Sequence, residues 1–516
     1  MGQKIRGAIA AGHPKTVEAG QIIFELGGNA FDAAIAAMLA SFVVESTLTS
    51  AGGGGFLLAH TQDHQDILFD FFCQTPRNKK KRDILDFYPV NINFGGEIQV
   101  FHIGLGSIAV PGTLAGVFDV HQQLGKLPFH VVAEPALNYA KNGYEVTSYN
   151  QFTFELLEPI LTVYPESRKI YAPNNQLLKK GNRSYNQDFV NTLNYLIDQG
   201  VKEFYQGEIA HQIVKDLSIG GYLTLEDLSH YKVIRRKPLR INYRGYELLT
   251  NPPPSSGGIL IAWTLKLLEK FPLNQTKFGS DQHLQLLAEA MYLTNQARKK
   301  SYDTNIHHPN IMEDFLSQNN LHYYQTQLED VVNKWGSTTH ISVIDSQGNA
   351  ASVTNSNGEG SSYVIPNTGI MLNNMLGEAD LNPLGFHNWA SDRRISSMMS
   401  PTIILREGKP EIVLGSGGSN RIRTAILQVI CNLLDFQFSL SDAVANPRVH
   451  WENNIFSLEP MPENNHLDQL KLPESTQIVQ WSEPNMFFGG VHGVSDRNNS
   501  IEAIGDPRRA GQGMIC

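Results

Sequence analysis

Between Gly336 and Ser356 the chain reads GSTTHISVIDSQGNAASVTNS, two alternating runs joined by the tetrad Ser346-Gln347-Gly348-Asn349. A period of two places each run in a β-sheet, and a polar tetrad of turn formers sends the second run back antiparallel to the first. The stretch therefore predicts a hairpin. With Asp345 opposite Ala350, position 338 falls opposite 357, and the hydroxyl of Ser356 and the amide of Asn357 become cross-strand neighbours of Thr338. The hairpin opens on three hydroxyl residues, Ser337, Thr338 and Thr339, and no histidine or carboxylate stands at a triad spacing around them.

Two readings of that hydroxyl run are open. In the plainer one, β-branched and hydroxyl residues open a strand because they suit a pleated surface. In the other, scission of the peptide bond between Ser337 and Thr338 frees the α-amine of Thr338, with a pKa near about 7.7, beside its own hydroxyl. Nucleophile and general base then sit on one residue. Spacing alone does not choose between them.

The 516 residues suffice for two or three domains or one large layered one, and 41% hydrophobic with 18% charged residues is the composition of an ordinary globular chain. A net charge of -9 gives no electrostatic footprint for nucleic acid or an acidic membrane surface, and the basic run NKKKR at 78–82 reads as a solvated loop. Cys73, Cys431 and Cys516 are too far apart in sequence for a metal knuckle or a disulfide framework. With no apolar leader at the start, the expectation is a cytoplasmic protein. The most apolar segment, 30–45, is too short to span a bilayer and carries Asp32, so it reads as a buried helix.

Helical periodicity marks KTVEAGQIIFELGG and the Ala-rich segment after it, while SAGGGGFLLAH and DILFDFF read as strands. A helical portion runs from about 112 to 228, INYRGYELLT reads as one strand, and NPPPSSGG at 251–258 is a rigid turn before an apolar helix. The polar segment 303–334 reads as a mobile connector. From Thr338 follow THISVID, NAASVT, TGIMLN, PTIILRE and PEIVLGS, closed by the helix NRIRTAILQVICNLLD. Two blocks of strands, each joined to amphipathic helices, predict an α/β fold of four layers, an αββα sandwich.

Other polar residues carry less. His307 and His308 lack the spacing of a metal-binding helix, so no metal site is assigned. His340 points to the opposite face of its strand from Thr339 and receives no proton-transfer role. Asp345 and Asp380 read as turn residues, and Glu359 in NGEGSS as a loop carboxylate able to attract an amine. The turn GSGGSN lacks the Lys-Ser/Thr of a phosphate-binding loop.

The block TTHISVID, together with GAIAAGHP, GGNAFDAAIAA, GGGGFLL, VPGTLAGVFDVHQQLGKLP, LTLEDLSHYKV, PPPSSGG, SSMMSPTI and DPRRAGQG, resembles the γ-glutamyltransferase (glutathione hydrolase) family over nearly the whole chain. The resemblance implies an N-terminal nucleophile hydrolase that cuts itself between Ser337 and Thr338. A large segment 1–337 and a small segment 338–516 then stay associated in one globular unit. It further implies Thr338 as nucleophile and Ser356 as the hydroxyl that orients it. Gly417 and Gly418 supply N–H groups to the oxyanion, Ser396, Ser397, Glu378 and Asn357 hold the acyl group, and no cofactor is needed.

One expected feature is missing. Where the family carries an arginine for the glutamyl α-carboxylate, DFFCQTP has Phe72, with Arg77 just downstream. Loss of such a charge-assisted contact costs on the order of 2 to 5 kcal/mol of binding. The substrate expected is a small-molecule or peptide amide, either γ-glutamyl as in glutathione or, for an acylase on the same scaffold, an amide without the free glutamyl carboxylate. A ligand-binding scaffold that never cuts itself is the third reading.

Overall fold

The computed structural model describes residues 5–93, 98–324, 338–382, 384–461, 467, 470–472, 476–497 and 500–516. Two antiparallel sheets make its centre. The first has seven strands in the order Gln512–Ile515, Gly7–Ala11, Thr339–Asp345, Ala350–Ser356, Gly54–His60, Asp66–Phe71 and Ile234–Arg236. The second has six, Ser500–Ile504, Gly490–Arg497, Lys409–Gly417, Thr402–Arg406, Tyr246–Thr250 and Leu239–Tyr243. The predicted hairpin forms the middle of the seven-stranded sheet. Each sheet draws strands from both sides of position 338.

Helices Pro14–Glu25 and Ala30–Val44 cover the outer face of the first sheet, and Gly257–Leu268 and Arg421–Leu434 cover the second. The expected four layers are present. Every residue of Ala30–Val44 is buried, because the helix lies between the sheet, its predecessor and Phe129–Asn142. Its start is fixed by a reciprocal cap, the Asn29 side chain accepting from Asp32 N–H and the Asp32 carboxylate from Asn29 N–H. The Asp345 carboxylate accepts the Ala30 N–H at 3.0 Å and ties this helix to the hairpin turn. No helix of the described residues is long and apolar enough to cross a membrane.

A polar seam runs where the sheets meet. His340 is fully buried there, with ring nitrogens 2.8 Å from the Thr354 hydroxyl and 2.9 Å from that of Ser342. Burial first, and His492 beside it, hold its pKa well below the ordinary value, so the ring is a neutral spacer. Gly415 faces it, because a β-carbon there would overlap the imidazole.

Three local expectations change. The hairpin register is one residue tighter: Thr339 lies opposite Asn355 and Ile344 opposite Ala350, so the ladder continued one step sets Thr338 against Ser356, not Asn357. The cause is Asp345, whose carboxylate accepts the N–H groups of Gln347 and Asn349 and the Asn349 amide, while Gly348 takes φ 89°. Asn349 thereby leaves the turn and joins Asp345 across the ladder. INYRGYELLT is itself a hairpin, Leu239–Tyr243 against Tyr246–Thr250, with Arg244 and Gly245 both left-handed at the tip. TGIMLN keeps only the short strand Ile370–Met371. Within the segment 303–334, Ile311–Phe315 and Gln318–Tyr324 are helical, and residues from 325 lie outside the described set.

Candidate active site

Thr338 is the first described residue after 324, so Ser337 and the bond expected to break lie outside the described residues. Its neighbour Thr339 turns to the helical face, where its hydroxyl donates to the Glu45 carboxylate at 2.6 Å, and the Thr16 hydroxyl donates to the other oxygen at 2.6 Å. Glu45 is buried, and burial pushes its carboxyl pKa up in spite of both donors. Gly12 leaves room for this group, since a β-carbon there would stand 2.5 Å from a Glu45 oxygen. Strand alternation then aims Thr338 the other way.

On that other side Thr338 lines a cavity of about 40 Å³ together with Ser356, Gly358, Glu378, Asp380 and Ser397. The Ser356 hydroxyl accepts the Gly358 N–H at 3.0 Å, which curls the chain behind the strand. Gly358 takes φ 62°, and a β-carbon on it would run into Asn374 and Glu378. Asn357 sits one step behind the cavity wall, its carbonyl accepting from Gly360 and its N–H donating to Leu48.

The strand Lys409–Gly417 ends against Thr338. A β-carbon on Gly417 would overlap the Thr338 carbonyl oxygen, and Gly418 takes φ 124°. Ser419 is left-handed as well, and the helix begins at Arg421. None of the hydrogen bonds among the described residues uses the N–H of Gly418, Ser419 or Asn420, so the turn presents donors, as a helix start does. Of the two glycines expected here, Gly417 meets Thr338 through its backbone, and Gly418 opens the turn.

The serine pair divides. Ser397 lines the cavity and accepts the Met399 N–H at 3.0 Å, whereas the Ser396 hydroxyl pairs with that of Ser256 at 2.9 Å on the wall of the next cavity. The motif PPPSSGG explains their position: the N–H groups of Ser256 and Gly257 and the Ser255 hydroxyl all donate to the Ser397 carbonyl. Gly257 permits this approach, because a β-carbon there would overlap the Met398 carbonyl.

The acidic side is denser than the sequence suggested. Glu378 is buried, and burial first, then Glu359 and Asp380, push its carboxyl well above the usual range. The Glu359 N–H donates to Glu378 and to the Asn374 side chain. Asp380, read from sequence as a turn residue, accepts the Ser419 hydroxyl on the cavity wall and so links this cluster to the glycine turn. Such a cluster favours a cationic amine.

The same cavity is also lined by apolar side chains, Phe72, Met375, Leu381 and Ile422. Phe72 is fully buried and stacks on Phe56 with centroids 5.4 Å apart. Its carbonyl is taken by the Tyr231 hydroxyl and by Arg394, whose guanidinium pairs with Asp70. Arg77 does not replace the missing cation: it pairs with Asp392 at 3.0 Å and is not on the cavity wall.

Sequence reasoning assigned no role to Arg509. It is 4% exposed, and its Nη1 and Nη2 lie 3.4 and 3.2 Å from where β-carbons on Gly417 and Gly418 would stand. Among the described residues Nε and Nη1 have no hydrogen-bond partner, and Nη2 reaches the Met486 carbonyl at 3.4 Å. Around it Arg448 and Arg508 converge on Asp506, which they hold below its usual pKa against the upward push of burial. A buried positive charge therefore backs the turn that faces Thr338. The only signal in the sequence was its place in DPRRAGQG.

Residues 16–516 match the family model described as Gamma-glutamyltranspeptidase. The chain is 31% identical over 486 residues to the glutathione hydrolase proenzyme of Escherichia coli (strain K12), covering 86% of this chain and 81% of that protein. It is 30% identical over 473 residues to the acylase ACY 1 proenzyme of Pseudomonas sp. (strain V22), covering 88% and 84%. In three dimensions it resembles the cephalosporin acylase from Bacillus halodurans with a TM-score of 0.86 over 99% of this chain and 96% of that one, at 24% identity, a likeness of fold.

Proposed function

The chain belongs to the gamma-glutamyltranspeptidase family, and from that premise we propose that it is a self-processing amidase whose nucleophile is the hydroxyl of Thr338. One observation carries the reading: Thr338 and Ser356 line one cavity with Ser419, which belongs to a glycine turn whose N–H groups are unused among the described residues.

In the proposed cycle water first hydrolyses the bond before Thr338, leaving a carboxylate on Ser337, and the freed amine becomes the base. That amine takes the proton of the Thr338 hydroxyl as its oxygen attacks the amide carbonyl. Donors of the turn at Gly417 and Gly418 hold the oxyanion, and the amine passes its proton to the leaving nitrogen. Water, or an acceptor amine, then resolves the ester. Ser356 orients the hydroxyl. Ser397 and Ser396 hold the polar end of the acyl group, and Glu378, with Asn357 behind it, attracts an amine on the same group.

The acyl group is γ-glutamyl in the leading reading, with glutathione as one substrate of that class. The acylase reading is favoured by a single feature, the apolar side chain of Phe72 where a guanidinium is expected. Denaturing mass spectrometry of the purified protein tests the cycle: two pieces divided between 337 and 338 support it, and a folded, uncut chain sinks it. Turnover of γ-glutamyl-p-nitroanilide against an acyl anilide without an α-carboxylate then separates the two substrates.

A further inference from the structure

Two larger cavities continue from the Thr338 cavity. One of about 340 Å³ adjoins it at Leu381 and at the step from Ser397 to Ser396. The other, of about 630 Å³, shares with that one the wall formed by Ile306, His307, His308, Arg393 and Arg394. Together they form a trough leading outward from the end where Ser396 stands.

The trough collects cations although the chain carries a net charge of -9. Arg235, Arg236, Lys237, Arg393 and Arg394 line its outer part. Some of that charge is used internally: Arg235 pairs with Asp119, and Arg236 and Arg394 share the single carboxylate of Asp70. Asp392, on the same wall, is taken by Arg77 from outside the trough. Arg393 and Lys237 are exposed and have no carboxylate partner among the described residues; of the acids on the trough, Asp303 in the nearer cavity pairs with Arg298, and Glu313 is the one left on the outer wall. His307 feels the same field, for burial and then Arg393 and Arg236 hold its pKa down.

We propose that this trough binds the acyl side of the substrate beyond its first unit, and that this extension is an acidic peptide whose carboxylates meet Arg393 and Lys237. The inference rests on the amide-cleaving reading above. It also gives Phe72 a meaning: the charge contact absent at the cavity floor is replaced farther out, so the preferred donor is an acidic chain longer than one amino acid. Ile306, Trp389 and Ile395 on the nearer cavity supply apolar contact for the stem of that chain.

The test uses three p-nitroanilide donors with one leaving group: a lone γ-glutamyl unit, the same unit extended by an acidic tripeptide, and the same unit extended by a neutral one. Wild type is expected to show its lowest KM with the acidic donor. The double variant Arg393→Glu, Lys237→Glu should raise that KM about tenfold or more while leaving kcat and the other two donors unchanged. Equal KM for acidic and neutral donors, or an equal rise for all three, overturns the proposal.

Equilibrium binding of fluorescein-labelled oligoglutamate, read by anisotropy, needs no chemistry and so stands apart from the failure of the amidase reading. Salt-sensitive binding that the double variant loses supports the trough even if no anilide is cleaved. Absence of binding to wild type, or displacement by a sulfated oligosaccharide at lower concentration than by unlabelled peptide, refutes it. Both substituted side chains are exposed, and an unchanged melting temperature verifies the variant's fold.

Discussion

Gly417 packs its backbone against the carbonyl of Thr338 with no space for a β-carbon between them. Substitution Gly417→Ala must therefore push apart the two strand ends that build the site, at a cost of about 1–3 kcal/mol, the usual range for overpacking a dense interior. The expected outcome is a melting temperature lowered by several degrees and a chain that stays uncut on a denaturing gel. Normal cutting at normal stability would show that the contact is loose.

Arg509→Met keeps most of the volume behind the glycine turn and removes its charge. If the guanidinium supports negative charge at the turn, kcat should fall between about tenfold and a thousandfold, with KM nearly unchanged. Arg509→Lys should recover part of the loss. A purely structural role would instead lower stability in both variants and leave kcat of the folded fraction intact, so calorimetry and steady-state kinetics are run together.

Thr339→Val takes one of two hydroxyl donors from the buried Glu45 carboxyl, a loss of about 1–3 kcal/mol. Glu45 has a raised pKa in the fold, so the native state binds its proton more tightly than the unfolded chain does. The stability that protonation provides is present in acid and lost as pH rises through the folded value. The deficit of the variant is therefore expected to be largest near neutral pH and to shrink on acidification, as urea titrations at several pH values would reveal.

His283 behaves in the opposite sense. Burial pushes its pKa down to about 4, and its Nδ1 accepts the Gly279 N–H at 3.1 Å, which needs the unprotonated nitrogen. The unfolded chain takes up that proton near about 6.5, so this contribution is complete above that pH and is lost as pH falls toward 4. His283→Asn, which can keep an acceptor at the same place, should flatten the acid limb of the stability profile by at most about 3 kcal/mol. An unchanged slope would mean that the ring is already charged in the fold.

Local features of this chain were legible where neighbours in sequence decide them. The alternating runs at 339–356, the buried apolar helix that starts at Ala30 and the glycine turn before Arg421 each carry their own instruction. The hairpin register escaped by one residue because a single side chain, Asp345, draws Gln347 and Asn349 into a tighter loop than the tetrad alone suggests. The turn at Arg244-Gly245 was missed although both residues are left-handed, since the flanking apolar residues read as one continuous run. Asp380 and Arg509 were out of reach for another reason: each meets Thr338's surroundings only through packing of distant segments, and the sole local mark on either is the place of Arg509 in DPRRAGQG.

The hairpin that begins at Thr339 is hydrogen-bonded on one flank to Gly7–Ala11 and on the other to Gly54–His60. A break just ahead of it severs one covalent link but no rung of either ladder. Gel filtration and scattering of the nicked and intact forms should thus coincide, and neither fragment made alone possesses a complete sheet on which to fold. Maturation would be silent to measurements of the native particle's size and shape, and apart from the activity it releases it becomes audible once denaturant has pulled the interwoven halves apart.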